Sequence, residues 1–292
     1  MKSSSLCGFC AALALSTTFA LAQQQADDLK FPEELSEFSF FSRPRMSLYK
    51  PEGAGPFPAL VLVHQCGGLG SGRFQNESML AWAKEAVARG YAALLVDSLG
   101  PRGVDTVCYG AKGGVNFPRG VKDALQAAEH LQKFDFVDKK RIALMGFSWG
   151  AMVGVLASSA GFSGSLLPGV RFSAVVSFYP GCFSGKTPTG STFEFVRRDI
   201  DRPLLVLMGE IDTETPAEDC VAKLGPLKAA GAPVEWHIYP QTTHCWDCKN
   251  LDGFLKTDVR GNRVTYRYGK EITYDSAQRA FQFLDKTMNT RP

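Results

Sequence analysis

Four stretches of this 292-residue chain carry residue types able to do nucleophilic chemistry on a carbonyl group. Gly146-Phe147-Ser148-Trp149-Gly150 is a G-x-S-x-G sequence. It follows an apolar run, Arg141 to Met145, and precedes a small-residue stretch, Ala151 to Ser159. Strand, sharp turn and helix in that order expose the serine at the turn, near the positive end of the helix. The bland alternative is a Gly/Ser turn that serves packing only. A serine hydroxyl is a weak nucleophile at neutral pH and needs a base. The chain has four histidines. His64 ends an apolar run, His130 falls in a helical stretch and His237 inside a strand pattern; only His244 lies in a loop after a strand, in Pro240-Gln-Thr-Thr-His244. His244 is therefore the expected base, with His237 structural and His130 on a helix surface.

The base needs a carboxylate to orient it. Leu204 to Met208 runs into Gly209-Glu-Ile-Asp212-Thr-Glu-Thr-Pro216, which sets Asp212 just beyond a strand and before a Pro-initiated helix. Glu210, Glu214 and Asp97 compete for the role, and a helix cap is the alternative use for Asp212. The order Ser148, Asp212, His244 favours Asp212. The last requirement is a pair of donors for the oxygen that becomes negative. One is the N–H of Trp149, directly after the serine. The other falls in His64-Gln-Cys66-Gly-Gly68, with Cys66 N–H the candidate.

These residues need a scaffold that brings strand ends together. Pro58 to Val63, Tyr91 to Val96, Arg141 to Met145, Phe172 to Phe178, Leu204 to Met208 and Val234 to Tyr239 read as strands. Helical spacing appears over Met79 to Val87 (capped by Asn76 or Ser78), over 121–134, and over Ala217 to Ala230. It returns in a C-terminal stripe, Ala277, Ala280, Phe281 and Leu284, capped by Asp275 or Ser276. Uncharged strands alternating with helices predict an α/β fold, a mostly parallel sheet covered on both faces. Residues 183–200 read as a surface loop, and Val259 to Val264 as the turn of a hairpin. Loops at strand C-terminal ends shape the binding site in such sheets.

The N-terminus has a different character. Lys2 and a short polar stretch precede an apolar run, Leu6 to Ala22, ending in the A-x-A site Ala20-Leu21-Ala22. This is the layout of a secretory signal peptide over residues 1–22, leaving 23–292 as one domain of an exported protein. No charge occurs from Ile142 to Val170, but repeated glycines and serines make this a buried strand and helix rather than a membrane span. No stable membrane insertion is expected after cleavage. The net charge of +3 comes from 32 basic and 29 acidic residues with no basic block, which argues against a nucleic-acid partner. Cys66, Cys108, Cys182, Cys220, Cys245 and Cys248 remain after residue 22, a set that suits disulfides in an exported chain. A zinc site built on Cys245 and Cys248 with His244 or Asp247 is the weaker reading.

Taken together, His64 to Gly68, Gly146 to Gly150, Gly209 to Asp212 with Thr215-Pro216, and the loop ending at His244 resemble the dienelactone hydrolase family of α/β-hydrolases. The resemblance runs from about Ser47 to Leu284. It implies Ser148 as nucleophile, Asp212 and His244 as its partners, Cys66 and Trp149 as oxyanion donors, and no metal or organic cofactor. The namesake enzymes carry a cysteine where this chain has Ser148 and an acidic residue where it has Cys66. General hydrolysis of a small ester or lactone is therefore the implied activity. A serine peptidase of the same fold and a non-catalytic binding protein are the alternatives. Cys182 and Cys220 follow neighbouring strand ends and are expected to pair; Cys66 with Cys108, and Cys245 with Cys248, complete the set. Trp149, Phe178, Tyr179 and Trp246 neighbour the site loops and either line a pocket or belong to the core.

Overall fold

The protein is described by a computed structural model covering residues 29–31, 46–70, 76–186, 190–258 and 260–289. The signal peptide expected at 1–22 lies outside the described residues. All elements below belong to the unit Phe31–Pro292.

In chain order the strands are β1 (Ser47–Tyr49), β2 (Phe57–Val63), β3 (Ala92–Val96), β4 (Val137–Phe147), β5 (Val175–Phe178), β6 (Ser184–Lys186), β7 (Thr192–Glu194), β8 (Leu204–Gly209), β9 (Val234–Tyr239), β10 (Leu255–Thr257) and β11 (Arg263–Thr265). The helices are α1 (Glu77–Ala88), α2 (Phe117–Leu131), α3 (Trp149–Ala157), α4 (Ala160–Leu166), α5 (Ala217–Ala229) and α6 (Lys270–Asn289). Seven strands form one sheet in the order β1-β3-β2-β4-β5-β8-β9. Within this sheet only β1 pairs antiparallel, with β3; its other pairings are parallel. The central strands β3, β5 and β8 are buried at every position, as uncharged runs require when both faces are covered. Within β2, Leu60 and Leu62 face a core shared with Trp82 of α1 and with Ala280, Phe281 and Leu284 of α6. On the other side α2 and α3 pack against each other and against β2 and β4.

From β3 the chain crosses back over β2 to lay down β4 on its far side. The loops leaving β2 and β4 therefore diverge, and a crevice opens at their C-terminal ends. All four candidate stretches enter it, since they follow β2, β4, β8 and β9.

Several elements depart from expectation. The strand read from Arg141 begins at Val137, hidden by the charged run Asp138 to Arg141. Helix α2 starts at Phe117, where Asn116 accepts from Arg119 N–H and Pro118 occupies the first turn. Helix α6 starts at Lys270, so neither Asp275 nor Ser276 is its cap. The stretch 183–200 holds the antiparallel pair β6 and β7, not loop alone. Asn76, not Ser78, caps α1 by accepting from Met79 N–H. The uncharged segment after Ile142 is the end of β4 followed by α3 and α4, and among the described residues no helix is long and apolar enough to cross a membrane.

Candidate active site

Ser148 sits between the last residue of β4 and the first of α3, at φ 52° and ψ −111°. Positive φ is unfavourable for a side chain with a Cβ, and such strain concentrates at functional turns. The turn is tight because its flanking glycines leave no room for more. A Cβ on Gly150 would lie 2.7 Å from the His64 carbonyl oxygen and closer still to that of Val63, while one on Gly146 would strike the Gly150 backbone. Gly150 N–H donates to His64 O at 3.1 Å, which ties the elbow to the end of β2.

The loop after β9 carries His244 back over this elbow. Ser148 Oγ lies 2.9 Å from His244 Nε2, and His244 Nδ1 lies 2.7 Å from Asp212 Oδ2. The three residues are 8%, 1% and 4% exposed in the order Ser148, His244, Asp212, so bulk water does not compete for these bonds. Asp212 is itself held in place: its Oδ1 accepts from the N–H groups of Glu214 and Thr215, each at 2.9 Å, and Thr215 Oγ1 donates to Oδ2 at 2.7 Å. Burial alone would push the Asp212 carboxyl upward, but the His244 ring beside it and these donors hold it below the ordinary range. Burial pulls His244 downward, yet Asp212 and then Glu214 outweigh it and leave the imidazole more basic than usual. A hydroxyl bonded to a basic imidazole whose other nitrogen faces a carboxylate can pass its proton to the ring as it attacks an electrophile.

Two of the three competing acids, Asp97 and Glu210, are engaged elsewhere. Asp97 caps the turn after β3, accepting from the N–H groups of Leu99 and Gly100. Glu210 accepts from Gln241 N–H. The remaining histidines do not reach Ser148. His64 bonds Gln65 O at 2.6 Å through Nδ1, accepts from Ser98 N–H through Nε2, and stacks on Trp149. His237 packs edge-on against Tyr239 within β9. The expectation of a surface His130 is wrong: the residue is 3% exposed, stacked on Phe31 and edge-on to Phe134.

Cys66 lies in the loop after β2, and Trp149 lies just beyond β4. Trp149 opens α3, where an N–H has no helical acceptor. The Cys66 backbone is fixed from behind, since its carbonyl accepts from Val107 N–H and Thr106 Oγ1. Cys66 is bonded to Cys108, Cys182 to Cys220 and Cys245 to Cys248, so each of these loops is stapled. Although Cys245, Asp247 and Cys248 lie within 4.8 Å of one another, the two sulfurs are joined to each other and not held as separate thiolates.

A cavity of about 250 Å³ opens over Ser148 and His244. Its wall includes Gln65, Tyr109, Phe254, Lys256 and Tyr266. Of the two uses left open for the aromatic residues beside the site, the structure assigns the core: Trp149, Phe178, Tyr179 and Trp246 are all buried and do not line this cavity. Tyr179 stands just below, at φ 45°, with its hydroxyl donating to buried Asp247 at 2.7 Å. Trp82 Nε1 donates to the other Asp247 oxygen at 2.7 Å, and burial pushes the Asp247 carboxyl upward. The cavity residues of the β10–β11 hairpin carry no motif. Their only signal in the sequence is the hairpin's position after the loop that carries His244.

The doubly covered parallel sheet, the strained serine turn and the Ser148–His244–Asp212 chain define an α/β-hydrolase. The profile of the dienelactone hydrolase family matches residues 45–288, and the chain belongs to that family. It is a carboxylic ester hydrolase, with small esters or lactones as its class of substrate. A Yersinia pestis protein described as a carboxymethylenebutenolidase is 24% identical over 201 residues, covering 66% of this chain and 70% of its own. Among solved structures, a Klebsiella pneumoniae protein described as a dienelactone hydrolase superposes with a TM-score of 0.63 at 19% identity, over 82% of this chain and 92% of its own. A Thermogutta terrifontis esterase with propionate bound gives 0.61 at 16% identity, over 87% and 96%. The same esterase phosphorylated by paraoxon gives 0.58 at 16%, over 82% and 88%.

Proposed function

We propose that this protein is a serine hydrolase of small carboxylic esters or lactones that works through an acyl-enzyme on Ser148. The observation that carries the proposal is the unbroken chain from Ser148 Oγ to His244 at 2.9 Å and from His244 to Asp212 at 2.7 Å. Ser148 Oγ attacks the carbonyl carbon as its proton passes to His244 Nε2. Asp212 keeps the ring proton on Nδ1 and stabilises the imidazolium. The N–H groups of Cys66 and Trp149 receive the oxyanion. Collapse expels the alcohol, which takes the proton from Nε2, and leaves the acyl group on Oγ. Water then gives a proton to His244 and attacks the acyl carbon, and a second collapse frees the acid and restores Ser148. Ester and water become acid and alcohol, and no step draws on a metal or an organic cofactor.

Two further observations support this reading. The neighbouring Thermogutta esterase is phosphorylated by paraoxon, the behaviour of a protein with an activated nucleophile. The cavity of about 250 Å³ is below the roughly 300–1,000 Å³ of sites for drug-sized ligands, which favours short acyl and alcohol parts. Residues 1–22 are read as a signal peptide and 23–292 as one exported domain. Three disulfides suit an oxidising compartment. The test is hydrolysis of p-nitrophenyl acetate and butyrate by the protein and by folded Ser148→Ala. Loss of several orders of magnitude in the variant is expected; equal rates would end the proposal.

A further inference from the structure

Asp212 fills the orienting role, so the chain just described has no use for a second carboxylate. One is nevertheless present. Glu214 Oε2 lies 3.7 Å from His244 Nε2, at the opposite edge of the ring from Asp212 and on the side of Ser148. The Glu214 side chain is mostly shielded, and both of its oxygens are tied. Lys256 Nζ donates to Oε1 at 2.7 Å, and Tyr266 O–H donates to Oε2 at 2.9 Å. Both partners belong to the β10–β11 hairpin. That hairpin is clasped to the acid loop: Thr213 Oγ1 donates to Arg263 O at 3.0 Å, Asn262 Nδ2 to Thr213 O at 3.3 Å, and the Arg260 guanidinium to Glu214 O. The placement of the Glu214 carboxylate is thus set by two elements together.

A gap of 3.7 Å is too long for a hydrogen bond but short for two charges screened from water. We propose that Glu214 is a positioning residue of the hydrolytic reaction. It acts through His244, stabilising the imidazolium that forms as the Ser148 proton is taken, while Lys256 and Tyr266 hold it away from Nε2. The proposal rests on Ser148 and His244 being nucleophile and base. At hydrogen-bond distance the carboxylate would hold the Nε2 proton and compete with its delivery to the leaving alcohol. Held back, it contributes charge and leaves the proton path to Ser148 and substrate open.

The groups facing His244 come from every side. Asp212 is at Nδ1; Glu214 and, behind it, Lys256 are at Nε2; the rings of Tyr179 and Tyr266 flank the imidazole; Asp247 follows three residues further in the base loop. Glu214 raises the basicity of the imidazole and Lys256 opposes it. The two charges on the proton-carrying side therefore make opposite predictions, which a purely structural role for either residue would not.

The test is the pH dependence of kcat/KM on p-nitrophenyl butyrate for the parent, Glu214→Gln and Lys256→Gln, with Ser148→Ala alongside. Glu214→Gln should move the acid limb down by about one pH unit, and Lys256→Gln should move it up. Either folded variant alone gives a decisive direction. A limb that stays in place in a folded, active variant while rates fall evenly at all pH values would overturn the role of Glu214. An active Ser148→Ala would instead overturn the reading of the whole site.

Discussion

Asp212→Asn separates the charge and hydrogen-bonding role of Asp212 from its shape. The amide that replaces the carboxylate has one acceptor and one donor end, and the surroundings choose which goes where. Two backbone N–H groups, from Glu214 and Thr215, point at Oδ1 from 2.9 Å, so the amide oxygen must take that position. The NH₂ group then occupies the Oδ2 position, 2.7 Å from His244 Nδ1 and 2.7 Å from Thr215 Oγ1. Thr215 can accept from it by turning its own proton to Tyr179 O at 3.2 Å. Every polar group keeps a partner, so stability should change by no more than about 1 kcal/mol. His244 does not escape so easily. An amide N–H aimed at Nδ1 makes that nitrogen an acceptor and puts the ring proton on Nε2, where it faces Ser148 and blocks proton uptake. The same tautomer inversion costs about 10⁴-fold in kcat in the serine protease triad, or about 5 kcal/mol of barrier. The assay pairs kcat on p-nitrophenyl butyrate with thermal unfolding and the ¹H–¹⁵N spectrum of the histidines. The expected result is a parent with Nδ1–H, a variant with Nε2–H, and nearly equal melting temperatures. A variant within about tenfold of parental kcat would refute the reasoning.

The raised basicity of His244 puts the acid limb of parental kcat/KM above the ordinary histidine value of 6.5. Activity should fall as pH drops through it, because a protonated ring cannot take the Ser148 proton; a limb at or below 6.5 would contradict the balance of charges around the ring. Gly150→Ala drives a Cβ into two carbonyl oxygens at the end of β2 and should cost about 1–3 kcal/mol along with activity. Gly164→Ala in α4, where a Cβ meets nothing within 4 Å, should instead stabilise by about 0.5–1 kcal/mol; thermal unfolding of the pair checks both. Tyr179→Phe removes a donor from the buried Asp247 carboxyl and should destabilise by about 1–3 kcal/mol, again read from thermal unfolding.

The parts of this molecule that could be read in sequence are those specified locally. The runs Phe57 to Val63 and Leu204 to Gly209 are uncharged because both faces are covered, and that pattern survives without knowledge of neighbours. Gly146, Ser148 and Gly150 report a turn that only a short stretch of chain has to make. Ser148, Asp212 and His244 were legible because each stands at a strand end in a distinctive loop, and the structure draws them together. What failed depended on distant segments. His130 lies under Phe31, far away in sequence, which stacks on it. The first half of β4 is charged where it leaves the core, so its composition reads as loop. Whether Trp149 and Tyr179 lined a pocket or joined the core was open in sequence; they are core because the cavity opens above them, toward a hairpin whose sequence announces a turn but not a target. Glu214 could be named as an acid near the site. The side of the His244 ring it would face depended on Lys256 and Tyr266, more than forty residues away.

The central claim, a covalent acyl route through Ser148, is tested most directly by trapping the nucleophile. The protein is treated with paraoxon, digested, and its peptides are mapped by mass spectrometry, beside Ser148→Ala handled identically. The account predicts one diethylphosphoryl group on Ser148, loss of esterase activity in step with labelling, and no label at the substituted position in the variant. Full inactivation with the label on another residue, or esterase turnover that survives in Ser148→Ala, would contradict it.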